Sequence, residues 1–218
     1  MRAKRWADAI CLMYDNPNFV GWAASVRGLL EGAGDTVDGL LNISPTLAEH
    51  HRTIRRCLAG EERENFVGYS ELEAKLDHFV HARWIRTKRG EETPLKAKDN
   101  ATYVGILETA VPGILKLYHK LCAICHPSSE SISYFYDYSP QDGGRLRLAP
   151  ANDKKAIAAV CDEHPTALAD ALMMCCNAPL YTLRVLHKFR IHPKLAILNK
   201  LDWEHIKMGA EIERYLKS

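Results

Sequence analysis

Residues 114–127 read ILKLYHKLCAICHP, and the fold of the chain turns on how this stretch is built. Ile114, Leu117, Leu121 and Ile124 recur at three- and four-residue spacing, which commits one face of a helix to a core. Pro127 disfavours helical geometry at the residue before it, so His126 is expected at or just past the helix's C-terminal end. A titratable imidazole where a packed element stops suits a site. Three chemistries compete for it: a c-type haem attachment sequence, a zinc or redox cysteine cluster, and the His-bearing motif of a helical nucleotide-binding superfamily.

Outward from this stretch, helical periodicity dominates. Trp6, Ala9, Ile10 and Met13 give a first helix over residues 2–14, ended by Asn16-Pro17-Asn18. A second is expected from about Phe19 to Leu41, with Val26, Leu29, Leu30, Ala33, Val37, Leu40 and Leu41 as its apolar stripe. Its glycines Gly28, Gly32 and Gly34 permit close approach by another helix. Ser44 with Pro45 at the first helical position opens a third through about Leu58, stopped by Gly60. A fourth runs from about Tyr69 to Trp84, and the polar residues 87–100 read as an exposed loop.

The pattern returns from Ala101 to Cys125, with Pro112-Gly113 kinking one helix or starting another. Tyr134, Tyr136 and Tyr138 then alternate with other residues before the turn signal Asp142-Gly143-Gly144, which admits a short β-hairpin around residues 134–148. Helices resume over about 153–161, 165–187, 193–198 and 202–216. The expected fold class is all-α, a multi-helix bundle of seven or eight helices forming one domain over residues 1–218.

Composition narrows the class. Of the 218 residues 47% are hydrophobic and 26% charged, which excludes global disorder. A net charge of +2 does not by itself imply nucleic acid, so a basic surface must come from local clusters such as Arg52, Arg55, Arg56 and Arg63, or Arg83, Arg86, Lys88 and Arg89. No apolar run approaches the roughly 18 residues that span a bilayer, and the basic N-terminus is not followed by an uninterrupted apolar segment. The seven cysteines fit buried reduced thiols, and the expected location is cytoplasmic, with no membrane partner.

Cys122-Ala-Ile-Cys125-His126 matches the C-x-x-C-H pattern of haem attachment. That chemistry normally requires export, for which no leader is read. Zinc needs about four ligands, and this turn offers at most three, with no second C-x-x-C pair. Cysteines acting as small core hydrophobes are the simpler reading, so neither metal nor cofactor is expected. Arg27 and Glu31 lie four apart, in the less favourable order for a helical ion pair. Their place at the edge of an apolar stripe allows them to line a cleft with a partner helix. His50-His51 and the arginines beside them read as a solvated helix face.

With Arg27-Gly-Leu-Leu-Glu31 in an early helix and Tyr118-His-Lys-Leu-Cys-Ala-Ile-Cys-His126-Pro127-Ser128 closing a later one, the chain resembles a bacterial family of helical proteins. That family is similar to a divergent branch of the HEPN (higher eukaryote and prokaryote nucleotide-binding) superfamily. The likeness covers about residues 20–131, leaving C-terminal helices over about 152–218. It implies a small helical bundle, a homodimer, RNA or a nucleotide as ligand, and an operon-encoded protein partner in a defence or toxin system. Many such domains are metal-independent ribonucleases, and others are inactive scaffolds.

The catalytic signature of the superfamily is an Arg followed at four to six residues by a His at a helix end. Here His126 matches the His, and Lys120 stands where the Arg would be, keeping the charge without the bidentate fork. The resemblance then implies that His126 moves a proton at a ribose hydroxyl or leaving oxygen. Lys120, or by our own inference Arg27 oriented by Glu31, would neutralise the phosphate. The alternative is a non-catalytic scaffold in which His126 bonds Ser128 or a backbone carbonyl and only ends the helix.

Overall fold

The computed structural model describes residues 2–61, 70–85, 93, 95–149, 152–189, 195–203 and 207–217. They form α1 (Arg2–Asp15), α2 (Phe19–Leu40), α3 (Ile43–Glu49), α4 (His51–Leu58), α5 (Ser70–His81), α6 (Asn100–Glu108), α7 (Ile114–Cys125), α8 (Ser129–Ser133), α9 (Asp153–Glu163), α10 (Ala167–Phe189) and α11 (Lys207–Lys217). The sheet is one antiparallel hairpin of β1 (Tyr136–Ser139) and β2 (Arg145–Leu148), in which Tyr136 faces Leu148 and Tyr138 faces Leu146. Gly143 and Gly144, at φ +74° and +77°, turn the chain between the strands. The fold is all-α with a short hairpin. Tyr69, Arg63, Arg86, Lys88, Arg89, Pro193 and most of the 87–94 stretch lie outside the described residues.

The described residues form eleven α-helices against the seven or eight expected: one expected helix is divided, a new helix starts after Pro112-Gly113, and α8 forms in a stretch where no helix was expected. The helix expected over 44–58 breaks at His50, whose φ of −97° and ψ of 12° leave helical geometry. Asn42 rather than Ser44 precedes its first turn, and Ser44 is buried inside α3. His51 is not on a solvated face: it is buried, and its Nδ1 lies 2.8 Å from the Ala48 carbonyl oxygen.

Of the two readings of residues 101–125, the structure has the second: a new helix begins after Pro112-Gly113, giving α6 and α7. Gly113 takes φ +86°, and the Glu108 carboxylate accepts hydrogen bonds from the amides of Gly113 (2.8 Å) and Leu115 (2.7 Å). Those amides hold the Glu108 carboxyl below the usual range and satisfy donors that the new helix would leave bare. At its other end, α6 begins from Asp99, whose carboxylate accepts from the Thr102 amide at 2.8 Å.

The chain packs into two compact units, each made from two stretches: Met1–Asp35 with Asp99–Met174, and Thr36–Lys98 with Cys175–Ser218. In the first unit, Trp22, Val26, Leu30 and Ala33 of α2, Leu107 of α6, Leu117, Leu121 and Ile124 of α7, and Ile157 of α9 are buried. Burying an aliphatic or aromatic side chain of this size contributes about 1.5–3 kcal/mol. The α2 glycines do allow close approach. A Cβ on Gly28 would meet the Trp6 ring at 2.5 Å, and one on Gly34 would meet the Tyr103 carbonyl oxygen at 2.2 Å.

The second unit has its own core of Ala48, Tyr181, Val185, Phe189, Leu198, Trp203, Ile212 and Leu216. Trp203 Nε1 donates to the Leu198 carbonyl at 2.8 Å, so the indole is buried without an orphaned donor. Arg184 grips Glu213 with two bonds, Nε at 2.7 Å and Nη2 at 3.2 Å, the bidentate geometry available only to a guanidinium. Among the described residues, no helix is long and apolar enough to cross a membrane.

Candidate functional site: the two faces of α7

Tyr118, Cys122 and Cys125 lie at i, i+4 and i+7, so they share one face of α7. That face meets Arg27 and Glu31, one turn apart on α2. Tyr118 donates its hydroxyl proton to Glu31 Oε1 at 3.0 Å, Arg27 Nη2 lies 3.4 Å from the same oxygen, and the guanidinium carbon stands 5.6 Å from the centre of the Tyr118 ring. The cluster is therefore a carboxylate shared by a phenol and a guanidinium, with the guanidinium also over an aromatic face. Arg27 Nε is shut away from solvent with no hydrogen-bond partner.

Protonation follows from these contacts. Burial pushes the Tyr118 hydroxyl up to about 12, against the pull of Arg27 and with the Glu31 charge adding to the rise, so the phenol remains a donor. Burial disfavours charge on Arg27, yet Tyr118, Cys122 and Cys125 together outweigh it, and its pKa is raised. Burial likewise pushes the Cys125 thiol up, although Arg27 beside it pulls the other way. A thiol held protonated is neither a ready nucleophile nor a preformed metal ligand. All seven cysteines are free, and among the described residues no group of three or more His, Cys, Asp or Glu side chains is placed to hold a metal ion.

Lys120 is two residues from Tyr118 and so leaves α7 on the opposite side. There its Nζ pairs with Glu163 Oε2 at the end of α9, while Lys116 Nζ lies 3.1 Å from Glu163 Oε1. The two ammonium groups, Lys120 first, hold the Glu163 carboxyl down at about 2. His164 is buried beside them. Its Nε2 has no hydrogen-bond partner and stands 3.6 Å from Glu163 Oε1; burial lowers its pKa, with Glu163 opposing.

His126 follows α7 with extended backbone, φ −95° and ψ 153°, as Pro127 demands, and its amide donates to the Cys122 carbonyl at 2.9 Å. The side chain is exposed and makes no hydrogen bond or ion pair with a described residue. Ser128 is occupied elsewhere, its Oγ donating to the Ala123 carbonyl at 2.7 Å and accepting from the Ser131 amide at 3.1 Å as the cap of α8.

Of the four residues singled out from sequence, the structure thus brings Arg27 and Glu31 together, puts Lys120 across the helix from them, and leaves His126 by itself. Tyr118 was missed, although its four-residue spacing from Cys122 could have flagged it. Glu163, 43 residues beyond Lys120, carries no local signal of its role. Comparison with protein-family models, with curated proteins and with solved structures gives no match for this chain.

Proposed function

We propose that this chain is a helical interaction module, a non-catalytic relative of the HEPN-like ribonucleases that its α7 motif resembles. The observation that supports this reading is the division of α7. A phosphate-cutting site of that kind needs a proton-transfer group and a cation within reach of one substrate phosphate. Here Lys120 is tied to Glu163 on one face, Arg27 is tied to Glu31 and Tyr118 on the other, and the exposed His126 side chain past the helix end makes no hydrogen bond or ion pair with a described residue. A second observation favours interaction: Tyr136, Tyr138, Leu146 and Leu148, paired across the hairpin and so on one side of it, are all exposed. An uncovered apolar surface of this kind marks an interaction region more often than a catalytic one.

The test is incubation of the purified chain with single-stranded RNA, beside the His126→Ala variant. The expected result is no cleavage by either, with unchanged helical melts. Cleavage by the wild type that His126→Ala lowers by ~10²–10⁴-fold, with the melt intact, would overturn the proposal in favour of the ribonuclease.

A further inference from the structure

Strand β2 reads Arg145-Leu146-Arg147-Leu148 and is exposed along its whole length, on both of its faces. Leu146 and Leu148 are 66% and 67% exposed, so the rest of the chain does not cover the apolar side of the hairpin. Asp137 faces Arg147 on the other side.

The register shows which way the backbone of β2 points. The Ala149 amide donates to the Phe135 carbonyl at 2.7 Å. Bonded and non-bonded pairs alternate along an antiparallel ladder, so the bonded pairs are Phe135 with Ala149, Asp137 with Arg147, and Ser139 with Arg145. The amides and carbonyls of Leu146 and Leu148 therefore point away from β1. They bond no described residue, and among the described residues β1 is the one strand beside β2. An open row of this kind is a template for another strand, and two strands alone gain stability from a third.

The intact pairing shows what β2 accepts as a neighbour. β1 sets tyrosines opposite the two leucines and Asp137 opposite Arg147. A strand on the outer edge meets the same alternation. Its residues opposite the leucines extend the apolar face, and those opposite Arg145 and Arg147 meet guanidiniums, which favour carboxylates and repel cations. A second copy fits less well. Two β2 strands paired about a two-fold axis at Leu146 set Arg145 opposite Arg147, and an axis at Arg147 sets that arginine opposite itself. The β1 strand of another copy matches in charge, but that contact joins unlike edges and leaves one open on every copy, so it does not close.

We propose that the outer edge of β2 binds an extended segment of another protein in which acidic side chains alternate with aromatic or aliphatic ones, adding it as a third, antiparallel strand. This rests on the reading of the chain as an interaction module. RNA cleavage would sink that reading, whereas the peptide results below bear on the strand edge alone.

The experiment is fluorescence anisotropy of the intact chain with a labelled synthetic peptide of core Tyr-Glu-Tyr-Glu. Saturable binding with a dissociation constant on the order of 0.1 mM is expected. Replacing both glutamates of the peptide by lysine should weaken it by about tenfold or more. In the proposed register the peptide's tyrosine amides face β2 and its glutamate amides face solvent. N-methylation of the tyrosine amides should therefore abolish binding, and N-methylation of the glutamate amides should spare it. The Arg145→Gln/Arg147→Gln double variant should bind about threefold or more weakly, with a helical melt matching the wild type because both side chains are exposed. The proposal is overturned if the glutamate peptide does not bind, if the lysine peptide binds equally, if methylation of the tyrosine amides has no effect, or if the double variant binds as the wild type does. Growth of the chain alone into open-ended assemblies that Leu146→Pro abolishes would seat a second copy on the edge and overturn it as well.

Discussion

The two faces of α7 treat charge in opposite ways. Toward α2, Arg27, Glu31 and Tyr118 share one small, largely buried network with two thiols beside it. Toward α9, Lys116 and Lys120 converge on Glu163 nearer solvent. The same ion-pair chemistry has a different consequence on each side. Where water is excluded, losing one partner strands the other at a cost; where water is present, it takes the partner's place. Between the faces runs the apolar row Leu117, Leu121 and Ile124, which holds both arrangements in register.

The largest effect should come from that row. Leu121→Ala removes a fully buried side chain and should cost about 2–5 kcal/mol in chemical denaturation. It should also disturb the contacts on both faces together. A cost below about 1 kcal/mol would mean that α7 is not the packed centre of its unit.

Glu31→Ala is next. It strips the Tyr118 hydroxyl and the Arg27 guanidinium of their shared acceptor, and about 1–3 kcal/mol should be lost. Ultraviolet titration should show the Tyr118 phenol ionising below its wild-type value of about 12, yet still above an ordinary tyrosine, because burial is the larger cause of its rise. A Tyr118 titration that ignores the substitution would show that the two groups are not coupled in solution.

The smallest effect is expected at Lys120→Ala, which should leave the denaturation midpoint close to wild type, as exposed ion pairs contribute little. Its signature is in the proton chemistry. Glu163 titrates at about 2 in place of the usual 4.5, so whatever it contributes to stability is complete above the higher value and is lost as pH falls toward the lower one. Carboxyl-carbon NMR should place the Glu163 midpoint near 2 in the wild type and clearly higher in Lys120→Ala. An unchanged midpoint would dissolve the contrast between the faces.

The sequence by itself determined that the chain is helical, where α2 and α7 run, that a hairpin could follow Tyr134, and that His126 would stand outside its helix. These are local matters: apolar spacing, a proline's effect on its neighbour and a glycine pair's tolerance of positive φ act within a few residues. It also made clear that α2 would be approached closely at its glycines, though only the packing shows that Trp6 and the Tyr103 backbone do so.

Tertiary structure alone decided the division at His50, beside the buried His51 imidazole that bonds the Ala48 carbonyl, and which groups from other elements meet the charged residues of the candidate site. Lys120 and His126 are six positions apart in the chain and look like a pair. In the structure Lys120 pairs with Glu163, distant in sequence, and the exposed His126 side chain makes no hydrogen bond or ion pair with a described residue. Coulombic and hydrogen-bond energies depend on distances of a few ångströms between groups that only packing brings together, and spacing along one helix does not encode which group arrives from another.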